Sequence, residues 1–260
     1  MLLARYAPIG TPRYEKLSKS SVKLDKIIKW LPAQLFGIWT VFVAGMSAGK
    51  AQVDRFYFWD WSDWLIGIIG IVTISIVFSL LHKRFKSFAY NDENISFKTW
   101  GYHVFMPFIL FSLGYLIVGS FSITEGLIYV LAYFALFIIY TIKIDESNNV
   151  ISSESKKHIK TFSSVLLLLI TAIIGFLIDD PVIATASLVS LPFLIVLLFG
   201  KHVRHLERAK FYPIFIFAMF VSSREAWFLI PLILLFLILR SYNYLRNQKV
   251  YPTFGVPETE

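Results

Sequence analysis

The stretch LPFLIVLLFGKHVRHLERAKFYPIFIFAMF, residues 191–220, decides how the rest of the chain is interpreted. Its first ten and last ten residues carry no charge, whereas the middle ten hold four Lys or Arg, two His and one Glu. Apolar segments joined by short basic connections are typical of membrane helices and their cytoplasmic loops. The stretch therefore predicts two transmembrane helices joined on the cytoplasmic side.

The same pattern recurs along the whole chain. Of the 260 residues, 57% are apolar and 16% are charged, and the mean hydropathy is +0.65, whereas soluble domains carry about 25% charged residues. A helix needs about 20 residues to cross a bilayer, and backbone groups in lipid must bond within their own segment. We predict an all-α, polytopic transmembrane helical bundle. Its eight spans fall at 31–49, 64–81, 103–119, 123–142, 161–178, 181–200, 209–223 and 226–242.

The distribution of basic residues predicts the orientation. Of 25 Lys and Arg residues, 22 fall on one set of alternate connections and three on the other, and basic loops stay in the cytoplasm. We expect four helical hairpins with both termini cytoplasmic, in a multi-pass protein of a bacterial inner membrane. The corresponding divisions are a basic arm at 1–30, a helical domain at 31–242 and a tail at 243–260.

Two features of the side predicted to face away from the cytoplasm are open to more than one interpretation. The last two spans are short, and Arg224 and Glu225 separate them. We favour two separate spans. The alternative is a single bent helix from Phe211 to Leu239 with this pair buried. The acidic pairs Asp60/Asp63 and Asp179/Asp180 are interpreted as solvated loop residues, with Asp180 also suited to cap the helix that begins at Pro181.

The composition excludes several classes of function. No ionisable residue is expected near the middle of a span, which argues against a proton-coupled pump or a retinal protein. The chain has no cysteine, so disulfides and thiolate metal sites are excluded. The basic residues lie in loops beside the membrane, so no nucleic-acid partner is expected. Gly45 and Gly49 form a small-residue face that predicts close helix packing.

Candidate site residues lie at the predicted cytoplasmic face. Arginine and lysine side chains bind phosphate groups well. The candidates to bind a phosphate-bearing lipid are therefore Arg84, Lys143, Lys201, Arg204 and Arg208. His202 and His205 are three residues apart, hence on one helical face, and a metal site built on the histidines remains an alternative. The wider polar cluster at this level comprises His82, Asp92, Glu93, His103, Tyr140, His202, His205 and Glu207.

Some of these residues resemble motifs of UbiA-type intramembrane prenyltransferases. YTIK (140–143) is similar to a Tyr-x-x-Lys element after span four, Arg204 matches the loop after span six, and AYNDEN (89–94) resembles the start of the first aspartate motif. The resemblance implies a prenyl- or lipid-transferase that binds magnesium diphosphate through aspartates. His202 and His205 stand where aspartates are expected, so magnesium follows only if the resemblance holds.

Three functions remain as hypotheses. The first is handling of a phosphate-bearing lipid or isoprenoid at the cytoplasmic face, as an enzyme or a binder, with membrane lipids as partners. The second is a non-catalytic subunit of a larger membrane complex, which would require protein partners. The third is a small-molecule transporter. The residues alone do not decide whether the chain is an enzyme.

Overall fold

The described part of the chain is a bundle of α-helices. The computed structural model describes residues 2–23, 25, 35–52, 54, 57–85, 97–119, 122–142, 144–145, 150–151, 154–200 and 202–248. Only the backbone, and not the side chains, is described at 81–85, 98–99, 144–145, 150, 154 and 247. A 3-10 turn, Ala226–Phe228, precedes the last helix, and two-residue strands, Ile144–Asp145 and Val150–Ile151, pair antiparallel. The helices are α1 Leu2–Tyr6, α2 Pro12–Ser21, α3 Leu35–Ala51, α4 Trp64–Phe85, α5 Phe97–Val118, α6 Ile123–Tyr140, α7 Glu154–Leu177, α8 Pro181–Phe199, α9 Val203–Arg224 and α10 Leu229–Asn247.

The helices have the length and surface of membrane helices. Large apolar side chains of α4 and α7, such as Ile69 and Phe162, are exposed, as expected where lipid surrounds a bundle. These observations support a multi-pass integral membrane protein and confirm the predicted all-α class. Within the described residues, five helices are long and apolar enough to cross a membrane: Trp100–Val118, Ile123–Tyr140, Ser155–Leu177, Pro181–Phe199 and Ala226–Arg246. Shorter apolar helices lie at Leu35–Ala51 and Trp64–Leu80.

Helix α3 is the centre of the bundle. Every residue from Leu35 to Gly49 is buried, and the helix packs mainly on α5, with α9, α6 and α4 around it. A Cβ atom at Gly45 would lie 2.1 Å from the Phe111 carbonyl oxygen, and one at Gly114 would lie 2.0 Å from that of Phe42. Only glycine allows the two backbones to approach this closely, which confirms the predicted packing face.

The last two helices form an antiparallel hairpin. Helix α9 ends at Arg224, and Glu225 leaves helical geometry with φ −93° and ψ 79°. The ring of Phe236 lies 6.4 Å from that of Phe211 and 6.2 Å from that of Phe215. In one continuous helix Phe211 and Phe236 would be about 37 Å apart. The chain therefore turns back as two separate helices, as predicted, and the single bent helix is wrong, although the charged pair between the helices is buried. That both helices cross the membrane remains a prediction.

Alternate connections meet at opposite ends of the bundle. We call the end formed by the described residues of 51–64, 118–123, 177–181 and 224–229 the acidic end. The basic end is formed by the described residues of 140–154 and 199–203, together with α2 and the end of α10. Hydrogen bonds between different parts of the chain define each end. They are Gln52–Glu125, Trp59–Ser223 and Tyr129–Asp180 at the acidic end, and Lys160–Thr141, Lys210–Ile142 and Tyr14–Leu245 at the basic end.

The N-terminal arm is attached to the end of α10. The Tyr14 hydroxyl donates to the carbonyl of Leu245 at 3.0 Å, and the Tyr244 hydroxyl donates to the carbonyl of Ala7 at 2.6 Å. Helix α10 continues to Asn247, beyond the predicted edge of the helical domain at 242. The arm and the last helix therefore pack as one unit at the basic end.

Candidate functional site

A buried ion-pair network organises the acidic end. The Lys50 ammonium, in the last turn of α3, lies 2.7 Å from Asp60 Oδ2, 3.0 Å from Glu225 Oε2 and 3.5 Å from Asp63 Oδ2. The Glu225 side chain has no exposed surface. A carboxylate in such surroundings is tolerated only when it is paired and hydrogen-bonded. Lys50 therefore joins the end of α3 to the loop before α4 and to the break between α9 and α10.

Neighbouring groups donate further hydrogen bonds to Glu225, and the surroundings shift the pKa values of Glu225 and Asp60. Trp227 Nε1 donates to Glu225 Oε2 at 2.8 Å and the Tyr57 hydroxyl donates to Oε1 at 3.3 Å. Burial raises the pKa of Glu225, although Lys50 and Trp227 oppose the shift. Burial also acts to raise the pKa of Asp60, but bonds from Lys50 and Ser62 outweigh it and lower that pKa to about 2.

Backbone hydrogen bonds hold the loop before α4 against the end of α9. Trp59 N donates to the Ser223 carbonyl at 2.9 Å, Asp60 N donates to the Arg224 carbonyl at 2.8 Å, and Ala226 N donates to the Asp60 carbonyl at 2.9 Å. Trp59 adopts φ +58°, a left-handed conformation that bulky residues rarely adopt. The position of Arg224 is thus fixed by the surrounding backbone.

The Arg224 side chain is buried without a carboxylate partner among the described residues. It is 6% exposed, and its Nη1 atom is buried with no hydrogen-bond acceptor in the described part of the chain. Its Cζ atom lies 5.0 Å from the centre of the Tyr57 ring, a cation–π contact. A buried guanidinium normally finds acceptors for its N–H groups. Arg224 therefore has a hydrogen-bond donor that the described residues do not satisfy.

Arg224 contributes to the wall of a polar cavity of about 330 Å³. The cavity lies between the ends of α3, α6, α8 and α9, and apolar side chains such as Ala48 and Val182 form part of it. This volume is at the lower end of the range of about 300–1,000 Å³ that ligand pockets occupy. The polar residues on its wall are Ser47, Gln52, Glu125, Tyr129, Asp179, Asp180 and Arg224.

The carboxylates of this cavity are held in place by hydrogen bonds. Asp180 caps α8, as predicted, because its Oδ1 accepts from the backbone N–H groups of Val182 and Ile183. Its Oδ2 accepts from the Tyr129 hydroxyl at 2.9 Å, and Glu125 Oε1 accepts from Gln52 at 2.5 Å. Burial raises the pKa of Asp180, against the opposing effects of these bonds and of Arg224.

Tyr129 also borders a second pocket deeper in the bundle. Gly37, Ala44 and Ala132 form part of this apolar pocket between α3, α6 and α9. Its volume is about 30 Å³, which is room for only a few small groups. Tyr129 therefore separates the polar cavity from an apolar space within the helices.

At the basic end, buried and half-buried lysines bind helix C-termini. Lys157 donates to the carbonyl of Gly200 at 2.8 Å, and its side chain is almost fully buried. Lys160 donates to the Thr141 carbonyl at 2.8 Å, and Lys210 donates to the Ile142 carbonyl at 2.9 Å. The last carbonyls of a helix lack intrahelical partners and carry the negative end of its dipole. These lysines therefore contribute to the fold as well as to the basic character of this end.

Three histidines of the predicted polar cluster have described side chains, namely His103, His202 and His205. His202 is the N-cap of α9, where its Nδ1 accepts from Arg204 N at 3.1 Å, and its ring lies 6.5 Å from that of His205. His103 is 1% exposed and stacks on Phe137 at 3.5 Å between ring centres. Across the described residues, no group of three His, Asp or Glu side chains is arranged to hold a metal ion.

The other predicted site residues are described only in part. Arg204 and Arg208 are exposed one turn apart on α9, Glu207 beside them is half-buried, and Tyr140 is the last residue of α6. The structure describes only the helix backbone at His82 and Arg84. The remaining predicted site residues, Asp92, Glu93, Lys143 and Lys201, lie outside the described residues.

The residues that line this cavity are not among the predicted site residues. Asp60 and Asp180, interpreted as solvated, are instead bound to Lys50 and Tyr129. A signal was present, because Lys50 and Arg224 belong to the three basic residues on the acidic side of the predicted topology. A basic residue that violates a strong charge bias needs a local reason. Lys50 is paired with carboxylates, and Arg224 is buried on the wall of the cavity.

Comparisons with models of protein families, with curated proteins and with solved structures gave no match for this chain.

Proposed function

We propose that this chain is an integral membrane protein that binds a small polar molecule in the cavity at its acidic end. The observation that carries the proposal is Arg224, which is 6% exposed and lies on the cavity wall with a buried Nη1 that has no acceptor among the described residues. An unsatisfied buried donor lowers stability, and more so when the group is charged. A ligand with an acceptor group would supply the missing bond.

The topology we propose is eight spans in four hairpins, with both termini cytoplasmic in a bacterial inner membrane. The basic end would then face the cytoplasm, and the cavity would open on the opposite side. Because the chain has no cysteine, single-cysteine variants can test this directly. A membrane-impermeant thiol reagent should label Thr124→Cys in intact cells and Lys19→Cys only after lysis. The reverse pattern would contradict the orientation.

Binding can be tested by thermal denaturation of the detergent-solubilised protein against a panel of small polar solutes. A ligand that binds only the folded state raises Tm in proportion to the logarithm of its concentration. At least one solute should raise Tm in the wild type and in Arg208→Met, but not in Arg224→Met. Equal responses in all three proteins, or no response to any solute, would refute the proposal.

Lipid handling at the basic end is a second candidate. It is favoured by Arg204 and Arg208, which are exposed one turn apart on α9, where they suit a phosphate at the membrane surface. Kinship with UbiA-type prenyltransferases, and transferase activity with it, remains part of this candidate. A co-purified polyprenyl phosphate or phospholipid that is lost in Arg204→Ala and kept in Arg224→Met would favour it over the cavity.

The non-catalytic subunit is distinguished by its partners. That alternative predicts a stable complex with other membrane proteins and no solute or lipid that depends on either arginine. A monodisperse single chain with a solute response would exclude it.

A further inference from the structure

The charge distribution around the cavity assigns the chemistry of its ligand. An anion alone would meet one guanidinium and three carboxylates, those of Glu125, Asp179 and Asp180. A cation alone would leave Arg224 without an acceptor. A ligand with a single charge is therefore attracted by one part of the wall and repelled by another.

Arg224 and the acidic side chains of the wall do not pair with one another. Glu125, Asp180 and Arg224 all lie on the wall of the cavity, yet among the described residues Arg224 forms no ion pair with either carboxylate. The closest polar partners of Asp180 are Tyr129 and its own helix N-terminus. Positive and negative groups thus face a common space instead of neutralising each other.

We propose that the cavity binds a small zwitterion, with its anionic group at Arg224 and its ammonium group at Glu125 and Asp180. This inference rests on the proposed function and specifies its ligand class. Arginine recognises carboxylate and phosphate through paired N–H donors. The volume of about 330 Å³ and the apolar wall at Ala48 and Val182 suit a short aliphatic spacer between the two charges.

Two sources supply this chemistry. One is a free amino acid, and the other is the phosphoethanolamine head group of a membrane lipid, which carries an ammonium and a phosphate two carbons apart. Both present one anion and one ammonium joined by a short spacer, and the test must separate them.

Calorimetric titration of the detergent-solubilised full chain provides the test. The probes are glycine, β-alanine, γ-aminobutyrate and glycerophosphoethanolamine, with acetate and methylammonium as single-charge probes. At least one zwitterion should bind about ten-fold or more tightly than either single-charge probe, since it makes both charge-assisted contacts. Preference for an amino acid or for glycerophosphoethanolamine identifies the source.

Variants then test each charged group. Arg224→Met should abolish zwitterion binding. Glu125→Gln keeps the size of the side chain, and it should weaken the zwitterion about ten-fold while strengthening acetate, because one repulsive charge is removed. Glu15→Gln makes the same substitution on the exposed face of α2. It should leave the affinities for the zwitterion and for acetate unchanged. Intrinsic tryptophan fluorescence would confirm that each variant is folded.

The outcomes separate this inference from the proposed function. If acetate, methylammonium or an uncharged solute binds through Arg224 as tightly as every zwitterion, the inference is wrong and the solute-binding function stands. If Glu125→Gln leaves zwitterion affinity unchanged, the assignment of the ammonium group is wrong. If nothing binds in the titrations and no solute raises Tm, both fail.

Discussion

Replacing Lys50 with methionine should destabilise the protein through the carboxylates that it leaves behind. The ammonium lies within 3.0 Å of Asp60 and Glu225, and the Glu225 side chain is wholly buried. Removing one partner of a buried ion pair costs about 3–5 kcal/mol, because the other charge stays unpaired in a poorly solvated position. Lys50 retains 12% exposure and Asp60 27%, which places the expected loss near the lower value, about 3 kcal/mol.

The loss should be visible as a lower melting temperature. For a chain of this size each kcal/mol shifts Tm by about 2–4 °C, so Lys50→Met should melt roughly 6–12 °C below the wild type. Circular dichroism at the helix band would follow the transition in detergent. Trp227, which donates to Glu225, supplies a local fluorescence signal. Lys16→Met, on the exposed surface of α2, is the matched control and should melt with the wild type.

The double variant Lys50→Met/Glu225→Gln distinguishes an ion pair from simple packing. Neutralising the orphaned carboxylate should recover part of the loss, so the double variant should be less destabilised than the sum of the two single changes. Strict additivity would show that Lys50 and Glu225 do not interact, and the account of the acidic end given above would then be wrong.

Three further outcomes follow from other parts of the bundle. Gly45→Leu should prevent normal packing of α3 on α5 and reduce the folded yield in size-exclusion chromatography, whereas Gly101→Leu should not, because a Cβ there would meet no atom within 4 Å. Lys157→Met should lower Tm by about 3–12 °C, since the C-terminal carbonyl of α8 loses a charge-assisted bond worth about 1.5–3 kcal/mol; an unchanged Tm would contradict this role. The folded pKa of Asp60, about 2, lies below its ordinary value, so its contribution to stability should be full above about pH 4 and lost as the pH falls through about 2. Asp60→Asn should lack this component in a pH series of Tm values, and an identical pH profile for both proteins would refute it.

Much of the helical architecture followed from the sequence. Apolar runs predicted the all-α class, because a segment without water must close its own backbone hydrogen bonds. The glycine spacing at Gly45 and Gly49 predicted the close packing of α3, because only a residue without Cβ permits that approach. The helix ends were less predictable. Helix α9 begins at Val203, inside the charged stretch, because His202 caps it there.

The candidate site was harder to predict because it depends on residues distant in sequence. Lys50 and Glu225 are joined only once α3, the loop before α4 and the α9–α10 break meet. Charge bias alone makes the residues of the basic end conspicuous, yet Lys157 and Lys210 there serve the fold by binding carbonyls. Burial of Arg224 follows from three-dimensional packing, and no local pattern encodes it.

The most direct test of the central claim is native mass spectrometry after incubation with a small-molecule extract of cells. Wild type and Arg224→Met would be compared in the same mild detergent, with Arg208→Met as the control at the basic end. The account predicts one small-molecule adduct on the wild type and on the control, and none on Arg224→Met. The same adduct on all three proteins, or no adduct on the wild type, would contradict a ligand site built on Arg224.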